Sequence, residues 1–399
     1  MIRALVLLLT LALPTAALAA PSVTGVSGTI AHGQALSIVG ADFGVKAAAA
    51  PIRFDDFETG TTVGHLIADD LTWWSRNAGT GQVAEITDAE CISGKCGKFT
   101  VSTSPANVAT RSDSIYRDAI GFNDTGKMLV STWKYLDLVG DVDGTEGATS
   151  WQIKWLDAHR ASMIETVVTP EVEMSHWAYN SPPGAGWYNR SFLAVYGNSL
   201  TPKAAPNDTF KTAGWYHVTV ELYFGTVGVA DGTFRMYVST PSQASPYVVV
   251  TDSAQEYVPT DPEAGDPTYP NGLRLGWYHG SWYPTDKTAE TGDSYTSTLY
   301  YDDIYIDNTF ARVEIGNAAT YANCTTRALQ VPSAWAADAI TATANLDGFV
   351  EGDPKYLYVL DADGTPNAAG YELTNATAAM ALGAGGSATL GAGGTVTLQ

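Results

Sequence analysis

The sequence predicts an all-β protein built from sandwiches, and three observations carry that prediction. Apolar residues alternate with a period of two, as in "GWYHVTVELYF" (214–224), where Tyr216, Val218, Val220 and Leu222 form one row. The stretch "TFRMYV" repeats the pattern with Phe234, Met236 and Val238. Hairpin-type pairs punctuate the strands at Asp143-Gly144, Asp231-Gly232, Asp347-Gly348 and Asp363-Gly364. The composition joins 11% aromatic residues and 39 glycines to only 16% charged side chains, which fits compact β structure rather than disorder.

Taken in order, the chain opens like an export signal. Arg3 precedes the apolar run "ALVLLLTLALPTAAL", and Ala17-Leu18-Ala19 fits a small-x-small cleavage site. Segment 1–19 is therefore expected to be removed before Ala20, leaving a secreted protein (extracellular, periplasmic or cell-surface). The run is short for a membrane span, and no later segment reaches about 18 apolar residues, so no membrane insertion is expected. The 42 acidic and 21 basic side chains give a net charge of −21, or −22 without Arg3. Nucleic acid and anionic membrane surfaces are poor partners for such a chain. The 380 residues that remain (399 − 19) lead us to expect two or three domains.

Residues 20–51 contain "PSVTGVSGTIAHGQALSIVGADFG", in which Pro21, Gly33, Leu36, Ile38, Gly40, Phe43 and Gly44 resemble the opening of a TIG-type immunoglobulin-like domain. Only half of such a domain is present before "RFDDFETG" begins. Much later, "ITATANLDGF" and "YLYVLDADG" (340–364) resemble its closing strands. We therefore expect residues 20–51 and 313–375 to form one small immunoglobulin-like sandwich, interrupted by an aromatic-rich domain over 52–312. Two separate small domains are the alternative. The Gly/Ala-rich tail, 376–399, carries "LGAGG" twice and reads as a flexible end or one hairpin.

Cys91 and Cys96 bracket the turn-like "ISGK", and export makes a local disulfide the expected pairing. Metal binding by this pair lacks a second pair to complete it. Cys324 is left over and is expected to be a buried free thiol.

Three stretches of the central domain, in this order, resemble the alginate lyase and heparin lyase type of jelly-roll polysaccharide lyase. They are "RSDSIYR" (111–117), "QIK" (152–154) and "LRLGWY" (273–278). The resemblance implies a concanavalin-like, laminin-G-like jelly roll whose concave sheet binds a polysaccharide. It also implies that Arg111 and Gln152 neutralise a substrate carboxylate, that Tyr278 acts as acid or base, and that Arg274 contacts substrate. Lys154 stands where the family has histidine, and a lysine serves as base only where burial or a nearby cation lowers its pKa. Two further departures are the two extra residues in "RSDSIYR" and the missing glutamine after "LRLGWY".

The alternation supports this arrangement, because Gln152 and Lys154 share one face of "SWQIKW" while Trp151, Ile153 and Trp155 share the other. Carbohydrate binding without turnover is the preferred reading, a polysaccharide lyase the alternative, and a structural cell-surface protein the second alternative. Aromatic planes suit sugar rings, and the candidates are Trp177, Tyr179, Trp187, Tyr188, Trp282 and Tyr283, although aromatics also fill sandwich cores. His176 and His279 stand near aromatics and are candidate bases or substrate contacts, whereas His217 reads as a solvated strand residue beside Thr219 and Glu221. No cofactor is required. Structural calcium is conceivable at Asp56 and Glu58 of "FDDFE" with Asp302 and Asp303 of "YYDDIYID", if those strands pair. Acidic ends of exposed strands are the plainer explanation of the same residues.

Overall fold

A computed structural model describes residues 19–78, 84–103, 112–136, 151–159, 172–180, 187–195, 203–204, 213–255, 271–278, 295–374, 387–390 and 394–397. The chain begins with β1 (Ser22–Gly28), β2 (Ala35–Ala41), β3 (Arg53–Asp55), the short helix α1 (Ile67–Asp70), β4 (Ser75–Ala78) and β5 (Ala84–Thr87). It continues through β6 (Cys96–Thr103), β7 (Ser112–Arg117), β8 (Lys127–Leu136), β9 (Trp151–His159), β10 (Val172–Asn180), β11 (Trp187–Val195) and β12 (Lys203–Ala204). Then come β13 (Gly214–Tyr223), β14 (Gly232–Val238), β15 (Val248–Gln255), β16 (Gly272–Tyr278) and β17 (Tyr295–Asp307). The last strands are β18 (Arg312–Gly316), β19 (Arg327–Trp335), β20 (Ala339–Thr343), β21 (Tyr356–Leu360), β22 (Tyr371–Glu372), β23 (Ser387–Leu390) and β24 (Gly394–Thr397).

The fold is all-β. Its larger unit is a jelly-roll sandwich of two sheets, ordered β12-β11-β10-β9-β16-β7-β4 and β15-β14-β13-β8-β17-β6-β5, with β3 added to β17. The alternating rows read from the sequence meet in its core. Tyr216, Val218, Val220 and Leu222 of β13 and Phe234, Met236 and Val238 of β14 are buried there with Ile115, Leu156, Leu273 and Leu275 of the opposite sheet. Burying each such large apolar side chain stabilises the fold by roughly 1.5–3 kcal/mol before entropy is counted.

The smaller sandwich is one sheet, β1-β2-β20-β19-β18-β21-β22, folded over its own core. The fold line runs through β19. Val331 opposes Thr343 and Trp335 opposes Ile340 on β20, while Gln330 opposes Val313 on β18. A register shift falls between Pro332 and Ala334, where the proline has no N–H for the ladder. Leu36, Ile38, Val313, Ile315, Ile340 and Leu357 fill the space between the halves. Residues from β1–β2 and from β18–β22 thus share one core.

The two sandwiches pack directly on each other, and this corrects one expectation. His217, Thr219 and Glu221 occupy the outer face of β13 but are only 3%, 1% and 2% exposed, because the small sandwich covers them. The His217 ring nitrogens lie 2.9 Å from Ser131 Oγ and 2.8 Å from Tyr247 Oη, and burial depresses its pKa to about 3, so it is neutral. Glu221 pairs with Arg312 of β18 at 2.8 Å. Cys91 and Cys96 form a disulfide, Cys324 is a buried free thiol, and β23 and β24 pair as a hairpin in the tail.

Candidate functional site

The sequence candidates meet on the seven-stranded sheet around β9, whose neighbours are β10 and β16, with β7 beyond β16. Pairing with β10 sets Ser175 opposite Lys154 and Trp177 opposite Gln152. Pairing with β16 sets Tyr278 opposite Lys154. On its other side Tyr278 opposes Ser112, the first residue of β7. Directly opposed residues share a sheet face, with Cβ atoms about 4.5–5.5 Å apart.

Two register shifts create this arrangement. One falls between Met174 and Ser175 where β10 meets β9, and the other between Leu275 and Tyr278 where β16 meets β9. Such bulges bend a strand and re-aim its residues. Gly276 sits inside the second shift at φ +132°, a backbone conformation that favours glycine.

Beneath the bulges lies a polar anchor from the opposite sheet. Tyr301 Oη of β17 donates to the Trp155 carbonyl at 2.8 Å and lies 3.4 Å from the Gly276 carbonyl, so one hydroxyl touches both irregular strands. Lys134 Nζ of β8 lies 3.8 Å from the centroid of the buried Trp155 ring, a cation–π contact. Burial pushes the Lys134 amine well below its ordinary pKa and the Tyr301 phenol well above its own. Neither residue carries a motif. They became visible as supports only when the two sheets were stacked.

The remaining candidates fall elsewhere. Arg274 opposes Asp157 on one side and Tyr116 on the other, and at 6% exposure it is buried rather than open to a ligand. Trp187 begins β11 opposite Asn180, two strands from β9, and His176 opposes Ile153. Arg111, His279 and Trp282 lie outside the described residues.

The carboxylates considered for calcium lie at a different corner, where β3 pairs with β17. Asp302 and Asp303 are buried, and Asp302 Oδ2 and Asp303 Oδ1 have no hydrogen-bond partner. Asn345 Nδ2 of the small sandwich donates to Asp303 Oδ2 at 2.6 Å, and Ser93 Oγ donates to Asp347 Oδ2 at 3.0 Å. Burial first, then the neighbouring carboxylates, push Asp302 and Asp303 well above the usual carboxylate range. Burial raises Asp347 as well, and Asp56 and Glu58 add like charge to both Asp303 and Asp347. Asp347 was read from the sequence only as a turn residue. Among the described residues no three His, Cys, Asp or Glu side chains are grouped so as to hold a metal ion.

No protein-family model matches the chain, and no curated protein matches it. Among solved structures it is similar to an endo-β-1,4-glucuronan lyase from the fungus Trichoderma reesei, at 16% identity and a TM-score of 0.44, over 65% of this chain and 97% of that one. It is also similar to a PL-14 alginate lyase from Aplysia kurodai, at 11% identity and a TM-score of 0.43, over 65% and 99% of the two chains. An alginate lyase from Chlorella virus overlaps at 10% identity and a TM-score of 0.36, over 64% and 99%. At these identities and scores no activity or residue role passes from those proteins to this chain.

Proposed function

We propose that the protein acts on an acidic polysaccharide laid across the β7–β16–β9–β10 sheet, cleaving it by β-elimination. One observation carries the reading: Tyr278 and Lys154 are direct cross-strand partners. An amine and a phenol at neighbouring positions are the two proton-transfer groups that elimination needs. A base takes the proton from C5 of a uronic-acid residue, the C–H electrons form the C4–C5 double bond, and the bond from C4 to the leaving oxygen breaks. The leaving oxygen is then protonated. In this reading Lys154 is the base, Tyr278 the acid, and Gln152, with Arg111, neutralises the carboxylate so that the C5 proton becomes acidic.

Binding without turnover is the second reading, because the burial of Arg274 removes a substrate contact that the lyase resemblance implies. A panel of alginate, glucuronan and heparin-like polymers separates the two, because each elimination creates an unsaturated product that absorbs in the ultraviolet. A rise in absorbance with one polymer is the expected result. Retained binding with no rise on any polymer would leave the binding reading in its place.

A further inference from the structure

The contact between the two sandwiches buries a network of charges. Arg235 of β14 and Arg312 of β18 both pair with Glu221, at 3.0 and 2.8 Å. Arg312 also pairs with Glu314 at 2.5 Å, and Arg327 lies 3.6 Å from the other Glu314 oxygen. The buried Arg312 and Arg327 balance Glu221 and Glu314, and the part-exposed Arg235 adds one further positive charge at the edge of the network. Buried charge is costly unless compensated, and this chain is otherwise strongly acidic.

The excess charge borders a cleft. About 300 Å³ of space lies between the sandwiches, lined by Arg235, Tyr237, Tyr247, Tyr321, Arg327 and Pro366. That volume is at the small end of ligand-binding sites. Arg327 is 2% exposed, its guanidinium carbon lies 3.9–4.7 Å from the centroids of the Tyr237, Tyr247 and Tyr321 rings, and its Nε and Nη2 atoms have no hydrogen-bond partner. The Arg235 side chain remains 37% exposed at the same cleft.

We propose that this cleft binds a single carboxylate carried on a sugar-sized ring, with the carboxylate on Arg327 and Arg235 and the ring against the tyrosine wall. A planar guanidinium fork matches a carboxylate in two-point fashion, and one excess positive charge matches a monoanion better than a phosphate dianion. Three phenol rings give the body of the ligand an amphipathic surface to pack on. The ligand is either a free sugar acid or the end residue of an acidic polysaccharide. The site is separate from the β9–β16 sheet and does not depend on the function proposed for it.

The test is titration calorimetry of the whole protein at low salt with sodium glucuronate, sodium acetate and glucose, followed by an oligoglucuronate. Glucuronate should bind with one-to-one stoichiometry and more tightly than acetate or glucose. A free-acid site prefers the monomer, whereas an end-binding site prefers the oligomer. Val249 also lines the cleft and is 50% exposed, so V249W should block it without disturbing the fold. Arg235→Gln removes the charge while keeping a polar side chain. Each variant should weaken glucuronate binding by about tenfold or more, the scale of one charge-assisted hydrogen bond. The proposal is overturned if glucuronate does not bind, if acetate or glucose binds equally well, or if neither V249W nor Arg235→Gln weakens binding.

Discussion

The Tyr301 hydroxyl donates a 2.8 Å hydrogen bond to the Trp155 carbonyl, joining one sheet of the jelly roll to the residue that follows Lys154 in the other. The same oxygen lies 3.4 Å from the Gly276 carbonyl, so a single buried group spans the two strands whose slipped register pairs Lys154 with Tyr278. Position on the candidate face is therefore governed from behind it.

Tyr301→Phe leaves the Trp155 carbonyl buried without its donor. The expected cost is about 1–3 kcal/mol in urea denaturation. Polymer cleavage, or binding if there is no cleavage, should fall further than this modest instability explains, because the bulge loses its tether. A variant that is destabilised yet fully active would show that the bulge holds its shape unaided.

Tyr278→Phe removes the proposed acid while keeping the ring. If elimination occurs, the rate should drop by about 100-fold or more, within the range of general acid–base catalysis, with binding largely intact. Lys154→Met should do the same. If the sheet only binds, Tyr278→Phe should cost no more than one hydrogen bond, about 0.5–1.5 kcal/mol.

The acid corner predicts a pH dependence of a definite sign. Asp302, Asp303 and Asp347 have carboxyl groups raised in the folded state, so that state holds protons which the unfolded chain has released. Their contribution to stability thus grows as pH falls from 7.5 through the raised values, and is lost as pH rises. His217, depressed to about 3, acts in the opposite sense, since below pH 6.5 the unfolded chain gains a proton that the folded one refuses. Comparing variants isolates the corner. Asp303→Asn should raise the melting temperature at pH 7.5, and that advantage should shrink toward pH 5. Wild-type melting with added calcium should change little, and a large rise would assign the corner to a cation.

Arg312→Met tests the weld between the sandwiches. It leaves Glu221 and Glu314 buried beside fewer cations, and breaking a buried ion network in this way costs roughly 3–5 kcal/mol. Chemical denaturation followed by tryptophan fluorescence should show the loss, together with a broader or two-step transition as the units uncouple.

Alternation of apolar residues by itself determined that the chain is all-β and which rows of β13 and β14 face the core, since a strand's two faces are set by its own pleat. Tyr216, Val218, Val220 and Leu222 needed no partner to be read. The opposite row did. His217, Thr219 and Glu221 have the pattern of a wet face, and only the packing of a second sandwich, carrying Arg312 and Arg327, made that face interior. The pairing of Lys154 with Tyr278 was equally out of reach, because register between strands distant in sequence depends on two bulges and a tyrosine from the other sheet. Local propensity acts along the chain, whereas burial, register and charge balance are set by what packs across it.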